Sequence, residues 1–191
     1  GYSFPTRDSY KFYLESGGLK DLAVKMGADV KFWQDLYQHP NYDDWWKARN
    51  PRNFANYVPN GTATLVVGGL FDAEDCFGAW RTYEAIEKKA KNNNRIVMGP
   101  WFHGQWARAD GTQLGNVKFG SNTSEWYQNN IEMPFFKYHL EGKGDISTLA
   151  EATIFFTGEN KWRNYQQWTA AGSPDAYKRA NQLYKQALTE Y

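Results

Sequence analysis

Cysteine is almost absent from this chain, and features that define several common protein classes are missing as well. One cysteine, Cys76, among 191 residues permits neither an internal disulfide framework nor a cysteine-based metal cluster. Lys and Arg number 22 against 21 Asp and Glu, so the net charge of +1 gives no electrostatic support for binding nucleic acid or an anionic membrane surface. No apolar run approaches about 18 residues, which argues against a transmembrane helix.

Aromatic residues, in contrast, are abundant. They make up 18% of the chain and include nine tryptophans, which is enough apolar surface for a substantial core. Trp33, Trp45 and Trp46 stand at helical spacing and are interpreted as core residues. The length predicts one domain, or one domain and part of another.

The first sixty residues have the pattern of a helical region. Short helices are predicted at 19–26, 30–38 and 42–49, the first of them between Gly17-Gly18 and Gly27 and the second ended by Pro40.

The pattern then changes to strand, helix and strand. An apolar run, Ala63–Val67, ends at two glycines and predicts a buried strand. Helical periodicity follows over Ala73–Lys91, and a second apolar run covers Arg95–Met98. Tight connections between these segments predict a βαβ unit with a parallel sheet.

The last third of the sequence predicts three further elements. A helix is expected over 125–140, with a kink or a break at Pro134. A strand is expected over 152–157, and a terminal helix follows Ser173-Pro174-Asp175, where serine would be the N-cap.

Two polar residues follow the predicted strands. Asp72 comes shortly after the first strand and His103 shortly after the second, so both lie at the edge of a parallel sheet where ligands bind. An Asp that accepts a hydrogen bond from an imidazole Nδ1–H leaves Nε2 as a general base. The alternative for Asp72 is a helix N-cap, with Asp75 as its capping-box partner.

The motifs around these residues resemble the X-prolyl dipeptidyl-peptidase, or cocaine-esterase-like, family of α/β-hydrolases. Among its members the sequence is most similar to α-amino acid ester hydrolases and glutaryl-7-aminocephalosporanic-acid acylases. The segments that carry the resemblance lie between Phe32 and Trp168, and they are Gly69-Leu70-Phe71-Asp72-Ala73-Glu74-Asp75, Gly99-Pro100-Trp101-Phe102-His103, the segment 39–46, and the segments 136–140 and 157–162.

The resemblance implies a role for each site residue. Asp72 would be the acid and His103 the general base of a catalytic triad. Glu74 and Asp75 would bind the α-ammonium group of a substrate, because a cluster of carboxylates is relieved by a small cation. Trp101 and Trp106 flank the base and are candidates for lining an acyl pocket.

The nucleophile that the family requires is missing. None of the seven serines stands in a Gly-x-Ser frame between a strand and a helix. After Trp168 the sequence also lacks the strands of the family's C-terminal jelly roll. We therefore predict a fragment of a larger hydrolase that is inactive by itself.

The predicted architecture is an α/β class fold: a partial α/β-hydrolase that runs into the start of a β-rich jelly-roll domain. Its regions would be a helical cap (1–60), the acid and base half of the hydrolase domain (61–145) and a truncated β-rich region with a terminal helix (146–191).

The predicted function is that of a serine hydrolase for esters or amides with a free α-amino group. The alternatives are an X-prolyl dipeptidyl-peptidase or a glutaryl-type acylase, and, from another class, a non-catalytic aromatic-rich binding module. We expect a small-molecule or short-peptide substrate, no cofactor and no metal, since the acidic residues lack calcium-loop spacing and the histidines lack zinc spacing. His39 and His139 are interpreted as structural. Self-association into a homo-oligomer stays open, and so does the compartment, although the resemblance points to the periplasm or secretion.

Overall fold

A computed structural model describes residues 5–25, 27 and 30–168. It divides the chain into two compact units, one up to Asn53 and one from Phe54 onward. A 3-10 helix, Pro51–Tyr57, spans the boundary. Within the described residues, no helix combines the length and the apolar character needed to cross a membrane.

The first unit contains four short helices. They are α1 (Ser9–Ser16), α2 (Leu19–Lys25), α3 (Lys31–Gln38) and α4 (Asp44–Lys47). Asp8 caps α1 by accepting the Lys11 N–H at 3.0 Å. The three predicted helices are thus present, and α4 is shorter than the predicted segment 42–49 at both ends. Helix α1 was not predicted, because its apolar residues do not form a clear stripe.

The second unit is built around one four-stranded sheet. Its strands are β1 (Thr64–Gly69), β2 (Asn94–Gly99), β5 (Ala152–Phe156) and β6 (Lys161–Tyr165), in the order β1-β2-β5-β6. Two residue pairs, β3 (Gln113–Leu114) and β4 (Val117–Lys118), form a small separate hairpin. The helices are α5 (Cys76–Lys89), α6 (Thr123–Tyr127) and α7 (Met133–Glu141), with a 3-10 turn at Ile146–Thr148.

The predicted βαβ unit is confirmed. β1 and β2 are parallel, in a register that runs from Thr64 opposite Asn94 to Gly69 opposite Gly99. Both strands extend through the glycines that the sequence pattern had placed beyond their ends. Gly69 is required there, since a Cβ at this position would lie 2.1 Å from the carbonyl oxygen of Trp101.

The sheet has a packed core on both faces. Successive residues of β2 point to opposite faces, so Ile96 and Met98 lie with Tyr83 of α5, and Val97 lies with Trp101 and Tyr127. All of these side chains are buried. This packing fixes the strand ends from which the candidate site arises.

The jelly roll predicted from residue 146 onward is not confirmed. β5 is parallel to β2, and β6 is antiparallel to β5, so both strands extend the same sheet. An apolar run shows that a strand is buried but carries no information about which strand is its neighbour. The predicted terminal helix lies outside the described residues.

The helix predicted over 125–140 is broken, as expected near Pro134. A π-helical stretch, Gln128–Glu132, joins α6 to α7, and Pro134 lies in the first turn of α7. Proline lacks the N–H that an uninterrupted α-helix would need at this point.

Candidate active site

Two loops converge at the carboxyl ends of β1 and β2. Backbone pairing continues past the strands, since Leu70 N–H donates to the Gly99 carbonyl at 2.8 Å and Phe71 N–H donates to the Trp101 carbonyl at 3.1 Å. The loops are therefore held side by side at the point where Asp72 and His103 follow. The parallel register thus extends into the site.

Asp72 and His103 are in direct contact, although they are 31 residues apart in the sequence. His103 Nδ1 lies 3.0 Å from Asp72 Oδ2. Because a carboxylate only accepts hydrogen bonds, Nδ1 carries the hydrogen and donates it, and the neutral ring then has its lone pair on Nε2. An imidazole in this state can accept a proton at Nε2.

The second oxygen of Asp72 organises its own loop. Oδ1 accepts the backbone N–H groups of Glu74 at 2.9 Å and of Asp75 at 3.0 Å. Helix α5 begins only at Cys76, so Asp72 is not its N-cap, and Asp75 at the N-cap position makes no capping bond with its side chain. The capping-box alternative for Asp72 is therefore corrected: its side chain closes a turn that precedes the helix.

The environment of Asp72 keeps it ionised. Its side chain is only 2% exposed. Burial by itself would raise its pKa, but the hydrogen bonds from the Asp75 and Glu74 backbone and from His103 outweigh burial and hold the pKa of Asp72 below its ordinary value. A buried carboxylate that stays charged is suited to orient an imidazole and to stabilise its protonated form.

His103 itself is accessible, with 49% of its side chain exposed. Its loop is held by Gln105, a buried residue that the sequence analysis missed. Gln105 Oε1 accepts the Phe102 N–H at 3.1 Å, and its Nε2 donates to the Gln113 carbonyl at 3.2 Å. A glutamine two positions after a candidate base is a weak sequence signal, because the sequence does not show that its side chain bonds to the Gln113 carbonyl.

The two carboxylates predicted to bind an ammonium group are both exposed, but they differ in position. Asp75 Oδ2 lies 3.5 Å from His103 Nδ1, on the same edge of the ring as Asp72. Glu74 contributes its backbone N–H to Asp72. The structure thus brings Asp75 to the base, which the sequence spacing did not reveal.

The two tryptophans predicted to line an acyl pocket are also placed differently. Trp101 is fully buried, and its indole N–H donates to Thr123 Oγ1 at 2.9 Å. This burial does not fit a contact between Trp101 and a substrate, because the ring is enclosed by Trp106, Tyr127 and Trp162. Trp106 is half-buried and keeps some surface for such a contact.

Asp72, Asp75 and His103 also form a group with ligand atoms all within 4.8 Å of one another, close enough to hold a metal ion. A metal bound through Nδ1 would displace the hydrogen bond that His103 donates to Asp72. The observed arrangement therefore suits proton transfer better than metal binding, and the absence of a metal stays a prediction.

A mainly parallel α/β sheet with an acid and an imidazole at the carboxyl ends of two parallel strands is an arrangement found in α/β-hydrolase-type proteins. The similar solved structures are of this type. The model of the X-Pro dipeptidyl-peptidase family (S15 family) matches residues 6–105, more than half of the chain, and the chain belongs to this family.

Two solved structures show the extent of the similarity. An aminopeptidase from the marine sediment archaeon Thaumarchaeota archaeon is 30% identical, with a TM-score of 0.77 over 87% of this chain. An α-amino acid ester hydrolase is 31% identical, with a TM-score of 0.76 over 88% of this chain. The chain spans 28% of the length of each. No curated protein matches.

Proposed function

We propose that this chain supplies the acid and the base of a serine hydrolase that acts on esters or amides with a free α-amino group. The contact between His103 Nδ1 and Asp72 Oδ2 carries this proposal. It joins a buried, ionised carboxylate to an exposed imidazole at the edge of the sheet where ligands bind.

His103 is the proposed general base. Its Nε2 takes the proton from a serine hydroxyl as the serine oxygen attacks the substrate carbonyl carbon, and the tetrahedral intermediate forms. The imidazolium then gives this proton to the leaving alcohol or amine, which leaves an acyl-enzyme. Water then attacks the acyl-enzyme while His103 again accepts the proton. This step releases the acid product and restores the free serine.

The serine and the donors of the oxyanion hole are proposed to come from a part of the protein outside these residues. Among the described serines, Ser16 is buried and donates to the Phe12 carbonyl, Ser124 is buried, and the others are exposed on the helices and loops of the two units. None of them is hydrogen-bonded to His103 in the described part of the chain.

Labelling with a fluorophosphonate tests this point. The 191-residue chain is expected to take up no adduct by intact mass, whereas the full-length protein is expected to take up one. A stoichiometric adduct on the 191-residue chain would show that one of its own serines is the nucleophile, and peptide mapping would identify it.

The amino group of the substrate is assigned to Glu74 and Asp75. Both side chains are exposed, Asp75 lies beside the base, and Glu74 is its neighbour in the same turn, so that a small cation such as an ammonium ion is attracted to this loop. Trp106 is proposed to contact the acyl group, and Trp101 is left out because it is buried.

Matched substrates test the ammonium assignment. In the full-length enzyme, Glu74→Gln should lower the ratio of kcat/KM for an α-amino ester to kcat/KM for the ester without the amino group, by roughly tenfold for about 1.4 kcal/mol lost. Glu141→Gln is the control, since Glu141 is an exposed carboxylate on α7. An unchanged ratio in Glu74→Gln would remove this residue from the assignment.

An X-prolyl dipeptidyl-peptidase is the second candidate, because the family match bears that description. Its substrates also carry a free amino group, but one residue further from the scissile bond. Hydrolysis of an X-Pro anilide faster than an amino ester would favour it. A glutaryl-type acylase fits less well, since its anionic acyl chain would face Glu74 and Asp75.

A further inference from the structure

We propose that Asp75 is a positioning residue for the base, through its negative charge at the Nδ1 edge of His103. This inference rests on the proposed function and goes beyond it, because it gives Asp75 a role that does not involve the amino group of the substrate. Two carboxylates then act on one imidazole nitrogen. Asp72 Oδ2 lies at 3.0 Å and Asp75 Oδ2 at 3.5 Å.

The backbone of Asp75 is fixed on both sides. Its N–H donates to Asp72 Oδ1 at 3.0 Å, and its carbonyl accepts the Ala79 N–H at 2.9 Å in the first turn of α5. The side chain of Asp75 makes no capping bond with the helix. The turn that Asp72 organises therefore fixes the backbone from which the carboxylate of Asp75 reaches the imidazole.

The two carboxylates act in different ways. Asp72 is in hydrogen-bond contact and has a side chain that is 2% exposed, whereas the side chain of Asp75 is 68% exposed. At 3.5 Å Asp75 is too far for a strong hydrogen bond, so it acts through charge. Solvent and salt weaken the field of an exposed charge, while they affect a buried one much less.

The charge of Asp75 favours the states of the ring that the reaction uses. A hydrogen on Nδ1 is donated to Asp72 and lies near the negative charge of Asp75, so the neutral ring with its lone pair on Nε2 is preferred. The imidazolium formed during the reaction is attracted to the same two groups. Both effects should be present for any ester, with or without an amino group.

Esters that lack an amino group separate this role from ammonium binding. With such an ester at an ionic strength of about 10 mM, Asp75→Asn should lower kcat of the full-length enzyme about two- to fivefold and leave KM unchanged. At about 1 M salt the difference from wild type should nearly disappear. Asp75→Glu, which keeps the charge, should recover part of the loss, and Glu141→Gln should behave as wild type at both salt concentrations.

Two results would overturn the inference: wild-type kcat in Asp75→Asn at low salt, or a loss of the same size at both salt concentrations. The first would leave Asp75 with ammonium binding alone, and the second would indicate a disturbed loop. Neither result bears on the ratio between amino and neutral esters, which tests the proposed function separately.

Nuclear magnetic resonance gives a readout that needs no activity. The ¹⁵N shifts of the His103 ring, assigned by their loss in His103→Ala, report which nitrogen carries the hydrogen. Asp75→Asn is expected to increase the fraction with hydrogen on Nε2 at low salt, and Glu141→Gln is not. Identical shifts in Asp75→Asn and wild type would contradict the inference even if no substrate were found.

Discussion

In the described part of the chain, each unit has a histidine whose Nδ1 is hydrogen-bonded to an aspartate, and the shorter of these two hydrogen bonds is the less suited to catalysis. In the first unit, His39 Nδ1 lies 2.6 Å from Asp43 Oδ2. In the second, the distance between His103 and Asp72 is 3.0 Å. The contact distance alone would therefore single out the wrong pair as the catalytic one.

Their surroundings explain the difference. The ring of His39 is stacked on Trp45, with ring centres 5.0 Å apart and planes at 6°, and Asp43 is the N-cap of α4. This pair forms within one turn of chain and serves local folding. The aspartate of the other pair has a side chain that is 2% exposed while its histidine is 49% exposed, so the charge is sheltered and the base can be reached. Burial of the acid together with access to the base, rather than contact length, distinguishes the candidate dyad.

Replacing each histidine should separate the two pairs most strongly. In the full-length enzyme, His103→Ala removes the general base and should lower kcat by about 10²- to 10⁴-fold. His39→Ala should leave kcat unchanged, because this ring packs on Trp45 within the first unit. Steady-state kinetics with one ester measures kcat in both variants. An equal loss of kcat in the two variants would show that the two pairs do not differ in function.

Replacing each aspartate should sharpen the comparison through stability. Asp72→Ala leaves two backbone N–H groups without their acceptor, which should reduce the free energy of unfolding by about 1–3 kcal/mol. Asp72→Asn should lose less, since its oxygen can still accept them. Asp43→Ala should also lose less than Asp72→Ala, because its carboxylate is exposed to water.

Urea unfolding of the 191-residue chain measures these differences. Similar losses in Asp72→Ala and Asp43→Ala would indicate that burial of Asp72 adds nothing to the stability of its loop.

The third histidine gives the smallest expected effect and extends the comparison to pH. Burial, with a contribution from the nearby charge of Arg95, holds the pKa of His139 below its ordinary value. Below about pH 6.5 the unfolded chain binds a proton at this position before the native protein does. Stability linked to His139 is therefore complete above that pH and is lost as the pH falls toward the lowered native pKa.

Urea midpoints at pH 7.5 and pH 5 test this dependence. His139→Gln should lose less stability than wild type over this interval. A wild-type pH dependence in His139→Gln would show that other groups cause it.

Much of the sheet could be predicted from the sequence. The apolar runs that became β1 and β2 have helical periodicity between them, and a βαβ unit places the ends of both strands at one edge. The positions of Asp72 and His103 followed from this geometry, and the family resemblance added their roles. Both steps use information that lies close together in the chain.

What could not be predicted depends on residues far apart in the chain. Trp101 next to His103 suggested a pocket wall, but its indole N–H reaches Thr123 and the ring is buried. An apolar run does not show which strand is the neighbour of β5. In the structure β5 pairs with β2 and is part of the same sheet. The contact between Asp75 and the imidazole joins two segments 28 residues apart (103 − 75), and spacing alone had suggested only a helix-capping role for Asp75.

The parallel pairing that continues past β1 and β2 has a consequence for the order of events during synthesis. The backbone contacts that assemble the dyad involve only residues between Thr64 and Gln105, whereas β5 joins β2 about fifty residues later in the chain. Contacts between segments close in sequence form early because the loops that must close are short. We therefore expect a growing polypeptide to bring its acid and its base together before the ribosome has made the third strand of the sheet.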